Sequence, residues 1–169
     1  MKNIVLTGFM GAGKSVVGRR LAERLGIEVI DTDNVIEKDS GMIISDIFQG
    51  YGEPYFRNLE KEAVKKVSML NDHVIITGGG VVLKKENIEN LRKNGVVIYL
   101  YATSKVLYVR VKDQTHRPLL QVEDPMKTIE KLLAYREPFY ANHDIKIDTT
   151  DIKVDEVVAE ILEKTKTLL

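Results

Sequence analysis

Short apolar runs alternate along this chain with longer stretches in which apolar positions recur at helical spacing. The first run, residues 3–7, precedes a stretch from about Lys14 in which Val17, Leu21 and Leu25 share one helical face. Gly26 supplies a stop signal for that helix, and residues 28–31 read as a second strand. A polar, helical region follows from 33 to about 70, broken around Gly41 and Gly50-Tyr51-Gly52. Further strands are predicted at 73–77, 96–101 and 144–147, with helices at 84–93, 104–111, 125–140 and 153–165. This alternation predicts one α/β domain over 1–169, a doubly wound, five-stranded parallel sheet with helices on both faces. Ligands of such sheets gather beyond the carboxyl ends of the strands, so functional residues should stand just after strands. Residues 112–124 lack periodicity and centre on Arg117-Pro118; a loop of ~12 residues or more in a compact domain suits a lid.

Composition narrows the function. Twenty-five Lys and Arg balance 25 Asp and Glu, which argues against nucleic acid as the main partner. With no cysteine, disulfides, thiolate metal sites and cysteine nucleophiles are excluded. The apolar start at Ile4-Val5-Leu6 is interrupted by Gly8 and Lys14, too soon for the core of a signal peptide. No apolar run approaches the ~20 residues of a membrane span. A cytoplasmic monomer is expected.

The strongest local signal is Gly8-Phe9-Met10-Gly11-Ala12-Gly13-Lys14-Ser15, a full match to Gly-x-x-x-x-Gly-Lys-Ser/Thr between a strand and a helix. Backbone N–H groups of such a loop turn inward on phosphate oxygens, and the helix adds its positive end. Lys14 then reaches the β- and γ-phosphates, and the Ser15 hydroxyl ligates Mg²⁺. The guanine-reading Asn-Lys-x-Asp of GTPases is absent, and the strand at 73–77 ends without a carboxylate. Asp31-Thr32-Asp33 offers two carboxylates after the second strand, one for a metal and one for an acceptor hydroxyl. A plainer role for such a pair is a helix cap, with Asp33 capping the helix that follows. Gly78-Gly79-Gly80 follows the third strand and would let a ligand approach the backbone closely. Arg57, Arg117 and Arg136, in separate segments beside apolar residues, suit bidentate capture of a small carboxylate.

The phosphate loop, Asp31-Thr32-Asp33, Phe56-Arg57, the triple glycine, Arg117-Pro118-Leu119-Leu120 and Arg136-x-x-x-Tyr140 together resemble shikimate kinases in order and spacing, from about Lys2 to Ile161. That resemblance implies a P-loop kinase fold with a lid, and transfer of phosphate from ATP, with Mg²⁺, to the 3-hydroxyl of shikimate. It implies an ATP site at Gly11, Ala12, Gly13, Lys14, Ser15, Val16, Arg110 and Arg117, with Arg110 against adenine. It places the metal on Ser15 and Asp31 and gives catalysis to Asp33, Lys14 and Arg117. Shikimate falls to Asp33, Arg57, Gly79, Gly80 and Arg136, with Phe48, Phe56, Pro118 and Leu119 as an apolar wall and Glu60 orienting Arg57. Thr150 and Val154 stand where the family often has Asn and Pro near adenine. Two other readings are a kinase for a different hydroxy acid such as gluconate, and an ATP-driven switch that has no use for a carboxylate clamp.

Overall fold

Five strands form one parallel sheet in a computed structural model that describes residues 1–114 and 122–169. They are β1 (Asn3–Thr7), β2 (Glu28–Asp31), β3 (His73–Ile76), β4 (Gly95–Tyr101) and β5 (Ile145–Asp148), in the order β2-β3-β1-β4-β5. Register runs Val29↔Val74 and Ile30↔Ile75, Ile4↔Val74 and Val5↔Ile75, Ile4↔Val96 and Leu6↔Ile98, then Ile98↔Ile145 and Leu100↔Ile147. Every residue of β1, and all of β4 but Tyr101, is buried, as expected of strands covered on both faces.

The helices are α1 (Lys14–Leu25), α2 (Thr32–Ser40), α3 (Ile44–Ser68), α4 (Lys85–Lys93), α5 (Ser104–Val111), α6 (Pro125–Tyr140) and α7 (Val154–Thr165). The chain moves from β1 outward to β2, then back through β3 and on to β4 and β5. With right-handed crossovers, that reversal sends α1 to one face and α3 and α4 to the other. The packing agrees, since α1 lies on α7 and β3 while α3 lies on α4. The topological switch therefore falls between β1 and β3, and the loops after those two strands share one crevice.

The predicted order of elements is the observed one, and the differences are local. Asp144, expected in the last strand, precedes it. Its carboxylate accepts from Val97 N and Arg92 Nε, so its side chain closes the turn into β5. Lys153 caps α7, its N–H donating to Glu156. A 3-10 turn at Val81–Leu83, absent from the sequence pattern, carries the chain from the triple glycine into α4. The break expected at 50–52 is real but sharp: Gly52 alone leaves helical geometry (φ 79°, ψ 174°), with Pro54 two residues after it. Beneath that kink Ile36, Ile47, Phe56 and Ala63 form a small second core, which fixes α2 against α3. Of the lid expected at 112–124, Arg117, Pro118 and Leu119 lie outside the described residues.

In α1, Val17, Gly18, Leu21 and Ala22 are buried, and this face sets the helix that opens at Lys14 and Ser15. Leu21 is fully enclosed. Leu21→Ala should cost about 2–5 kcal/mol of stability, read from the midpoint of urea unfolding. A loss below ~1 kcal/mol would show that α1 is not packed in this way.

Candidate active site

The phosphate loop grows from the end of β1. Gly11 (φ 79°) and Gly13 (φ 93°) hold backbone angles closed to most side chains, and the N–H of Ala12 returns to Phe9 O at 3.1 Å. Lys14 Nζ donates to the loop's own carbonyls, Gly8 O at 2.8 Å and Phe9 O at 3.0 Å. Gly11, Gly13, Lys14 and Ser15 share a cleft of about 230 Å³ with Asp31, Asp33 and the loop after β3. The two loops thus face each other across the switch point. A second hollow of about 220 Å³ lies on the other side of α1's start, lined by Ala12, Val16, Arg110, Thr149 and Ile152. There the Arg110 guanidinium donates to Thr149 O at 2.7 Å, Thr149 Oγ1 at 3.0 Å and Gly11 O at 3.3 Å. Thr149 was not singled out in the sequence, although its place directly after β5 was the available signal.

Asp31 caps α2, its Oδ1 accepting from Asp33 N at 2.9 Å, so the capping role suggested for Asp33 belongs to its neighbour. This frees the Asp33 side chain to turn inward. Burial, together with the Asp31 and Glu60 carboxylates, pushes the Asp33 carboxyl up to about 6, while Lys14 pulls the other way. Burial also raises Asp31, partly offset by the Asp33 N–H, Lys14 and Arg19. Ser15 and Asp31 are hard oxygen donors lining one cleft, a set suited to Mg²⁺ carried in with phosphates. No cluster of three or more metal-ligating side chains exists among the described residues, so no dedicated protein cage is present there.

The triple glycine also makes room within the protein itself. None of its residues has positive φ, so space is what matters. A Cβ on Gly78 would stand 2.9 Å from Asp33 Oδ1 and 3.3 Å from Glu60 Oε1. On Gly79 it would stand 3.6 Å from Arg136 Nη1 and from Met10 N, and on Gly80 only 2.6 Å from Arg57 Nη1. Side chains brought in by α2 and α3 press on this loop at Gly78 and Gly80, and Arg136 of α6 lies beside it at Gly79. Thr32 Oγ1 ties it down by accepting from Gly78 N at 3.3 Å.

Arg57 is held in α3 by Glu60 (Nη1 to Oε2, 2.8 Å) and by Glu53 (Nη2 to Oε1, 2.9 Å), so Glu60 orients it as expected. Glu60 is 0% exposed. Burial raises its carboxyl, and the Arg57 charge partly reverses the rise. The two glutamates keep Arg57 cationic despite its own burial. Phe56 lies under the guanidinium at 5.2 Å and packs on Phe48 at 4.5 Å, which supplies the described half of the expected apolar wall. Arg136 crosses the Phe9 ring at 5.7 Å. Among the described residues, Asp33 Oδ1, Glu60 Oε1 and Arg136 Nε are buried without a hydrogen-bond partner. Two acceptors and one cationic donor converge beside the glycines, an arrangement complementary to a ligand with hydroxyl and carboxylate groups.

A family model described as shikimate kinase matches residues 10–166. The shikimate kinase of Caldanaerobacter subterraneus subsp. tengcongensis is 53% identical over 162 residues, covering 96% of this chain and 95% of that one. That of Thermodesulfovibrio yellowstonii is 47% identical, over 99% and 97%. Among solved structures, shikimate kinase from Acinetobacter baumannii in complex with shikimate superposes with TM-score 0.93 at 37% identity, covering 99% of this chain and 94% of that one. A gluconokinase from Sinorhizobium meliloti, 20% identical at TM-score 0.61 over 99% and 93%, shares the fold alone.

The raised Asp33 carboxyl has a consequence for stability. A carboxyl that titrates near 6 when folded and near 3.8 when unfolded favours the fold while protonated. Its contribution is full below the unfolded value and is lost as pH rises through about 6. In nucleotide- and metal-free protein, Asp33→Asn should therefore gain roughly 2–3 kcal/mol at pH 8, from about two pK units at 1.36 kcal/mol each. At pH 3.5 the gain should vanish. Urea titrations of both proteins at the two pH values check this; equal differences at both would contradict the burial of this group.

Proposed function

The chain belongs to the shikimate kinase family, and from that premise we propose that it moves the γ-phosphoryl group of ATP to the 3-hydroxyl of shikimate, giving shikimate 3-phosphate and ADP. It is a small-molecule kinase. The observation that carries the choice of acceptor is the meeting of Arg57 and Arg136, from different helices, over Gly79 and Gly80 beside Asp33. Two guanidinium groups in this position suit one small carboxylate, gripped by charge-assisted hydrogen bonds.

Phosphoryl transfer asks for alignment and charge neutralisation more than covalent chemistry. Shikimate's carboxylate rests between Arg57 and Arg136, and its ring lies along Gly79 and Gly80 against Phe48 and Phe56. This puts the acceptor hydroxyl at Asp33, whose carboxyl, pushed up to about 6, is basic enough to take the proton at neutral pH yet ionised there. Lys14 exchanges its loop carbonyls for the β- and γ-phosphate oxygens. Ser15 and Asp31 would hold Mg²⁺, which would supply charge neutralisation at those phosphates. Arg110 and Thr149 border the hollow next to the phosphate loop, where adenine is placed. Arg117, with Pro118 and Leu119, completes the site as a lid that excludes water. We place the enzyme in the cytoplasm as a monomer; no helix among the described residues is long and apolar enough to cross a membrane.

ADP release measured with shikimate, gluconate or water as acceptor tests the reading. Turnover with shikimate alone is expected. Comparable ADP formation with gluconate would reassign the substrate, and with water it would leave only a nucleotide switch.

The clamp makes a sharper statement. Arg57→Ala and Arg136→Ala should each weaken acceptor binding by about 2–5 kcal/mol, seen as a large rise in shikimate KM. ATP affinity, measured in parallel by calorimetry, should barely move. Lys at either position should rescue poorly, because an ammonium cannot reproduce the planar fork. Unchanged shikimate KM in both alanine variants would remove the clamp.

A further inference from the structure

The last turns of α6 carry a second feature on the same face as Arg136. Tyr140, four residues on and 1% exposed, donates its hydroxyl to Gly79 O, across 61 residues of sequence. Its ring lies parallel to that of Tyr99, with centroids 4.8 Å apart and planes at 4°. Tyr99, equally buried, donates its own hydroxyl to Glu137 Oε2 at 2.8 Å, one turn before Tyr140 on the same helix. The Tyr140 ring is thus fixed from one side by a stacked partner that is itself tied to α6. Its hydroxyl donates to the carbonyl of the middle glycine and also lies in hydrogen-bond contact with Arg136.

That glycine lies beside Arg136, whose Nη1 is 3.6 Å from where its Cβ would stand. Gly79 and Arg136 reach the site by unrelated routes, one after β3 and the other on α6, and the Tyr140 hydroxyl meets both. Resting on the reading of the site given above, we infer that Tyr140 is a positioning residue for the acceptor: it fixes the glycine loop at a set distance from Arg136, with Tyr99 and Glu137 holding its ring. A tyrosine serving only as core filler would need the ring and not the hydroxyl.

Tyr140→Phe separates the two roles, since it keeps the stacked ring and removes one oxygen. Shikimate KM should rise roughly 3–10-fold, the size of one neutral hydrogen bond. The ATP KM and kcat should stay near the parent's. Tyr99→Phe leaves the Tyr140 hydroxyl in place but unties its support from Glu137, and should raise shikimate KM in the same direction by less. If Tyr140→Phe lowers Tm and leaves both KM values alone, the residue is packing only and the inference is overturned. A parallel rise in both KM values also overturns it, because the damage would not be specific to the acceptor side. Should Tyr140→Phe fail to fold, Tyr99→Phe must show the acceptor-specific rise or the inference falls. The parent enzyme, assayed first with shikimate, separates failure of this inference from failure of the substrate assignment.

Discussion

Four charged side chains can meet above the end of β3 because three consecutive residues there have no side chains of their own. Asp33 takes the space a Cβ would need at Gly78, with Glu60 close by, Arg57 fills the position at Gly80, and Arg136 lies in ordinary contact beside Gly79. Each comes from a helix placed by the sheet: α2 and α3 after β2, and α6 after β4. The loop therefore acts as a mould. It decides how closely two acids and two guanidinium groups approach, and hence the shape of whatever they hold.

Such crowding has an electrostatic cost that the surroundings only partly offset. Glu60 is fully buried and Arg57 largely so, and their contact compensates part of the desolvation of each. Asp33 receives less compensation. Lys14 draws its carboxyl down, while burial, Asp31 and Glu60 together push it up. A hydrophobic replacement of these groups would make a steadier fold and no enzyme. The same low-dielectric setting that makes an isolated carboxylate costly also makes each of these charges act strongly on a bound anion.

Much of this was legible in the sequence, for a physical reason. The phosphate loop, the succession of strands and helices along the chain, the Asp31–Asp33 pair and the Arg57–Glu60 relation are all local: each depends on residues within one turn or one βα unit. What escaped detection depends on distant segments. The glycines were expected to admit a ligand; that they also make room for Asp33, Glu60 and Arg57 no local pattern could say. Asp31 rather than Asp33 caps α2, and the Asp33 carboxylate lies instead against Gly78, beside Glu60. Thr149 near Arg110, and the path from Tyr99 through Tyr140 to Gly79, are contacts made across tens of residues. The residues of the expected lid at Arg117, Pro118 and Leu119 lie outside what the structure describes.

The strand order β2-β3-β1-β4-β5 also governs how such a site comes into being as the chain folds. Ile4 is paired with Val74, seventy positions later, so the nucleotide loop and the glycine loop become neighbours only when β3 slots between β1 and β2. Closing so long a loop costs conformational entropy that grows as about (3/2)RT ln n before any pairing rewards it. The hairpin-like shortcut of local assembly is closed to a parallel sheet. A chain still waiting for β3 can form the phosphate loop, which lies within one βα unit, but has no second wall for it to face. Competence for transfer therefore arrives only with the closing of the sheet.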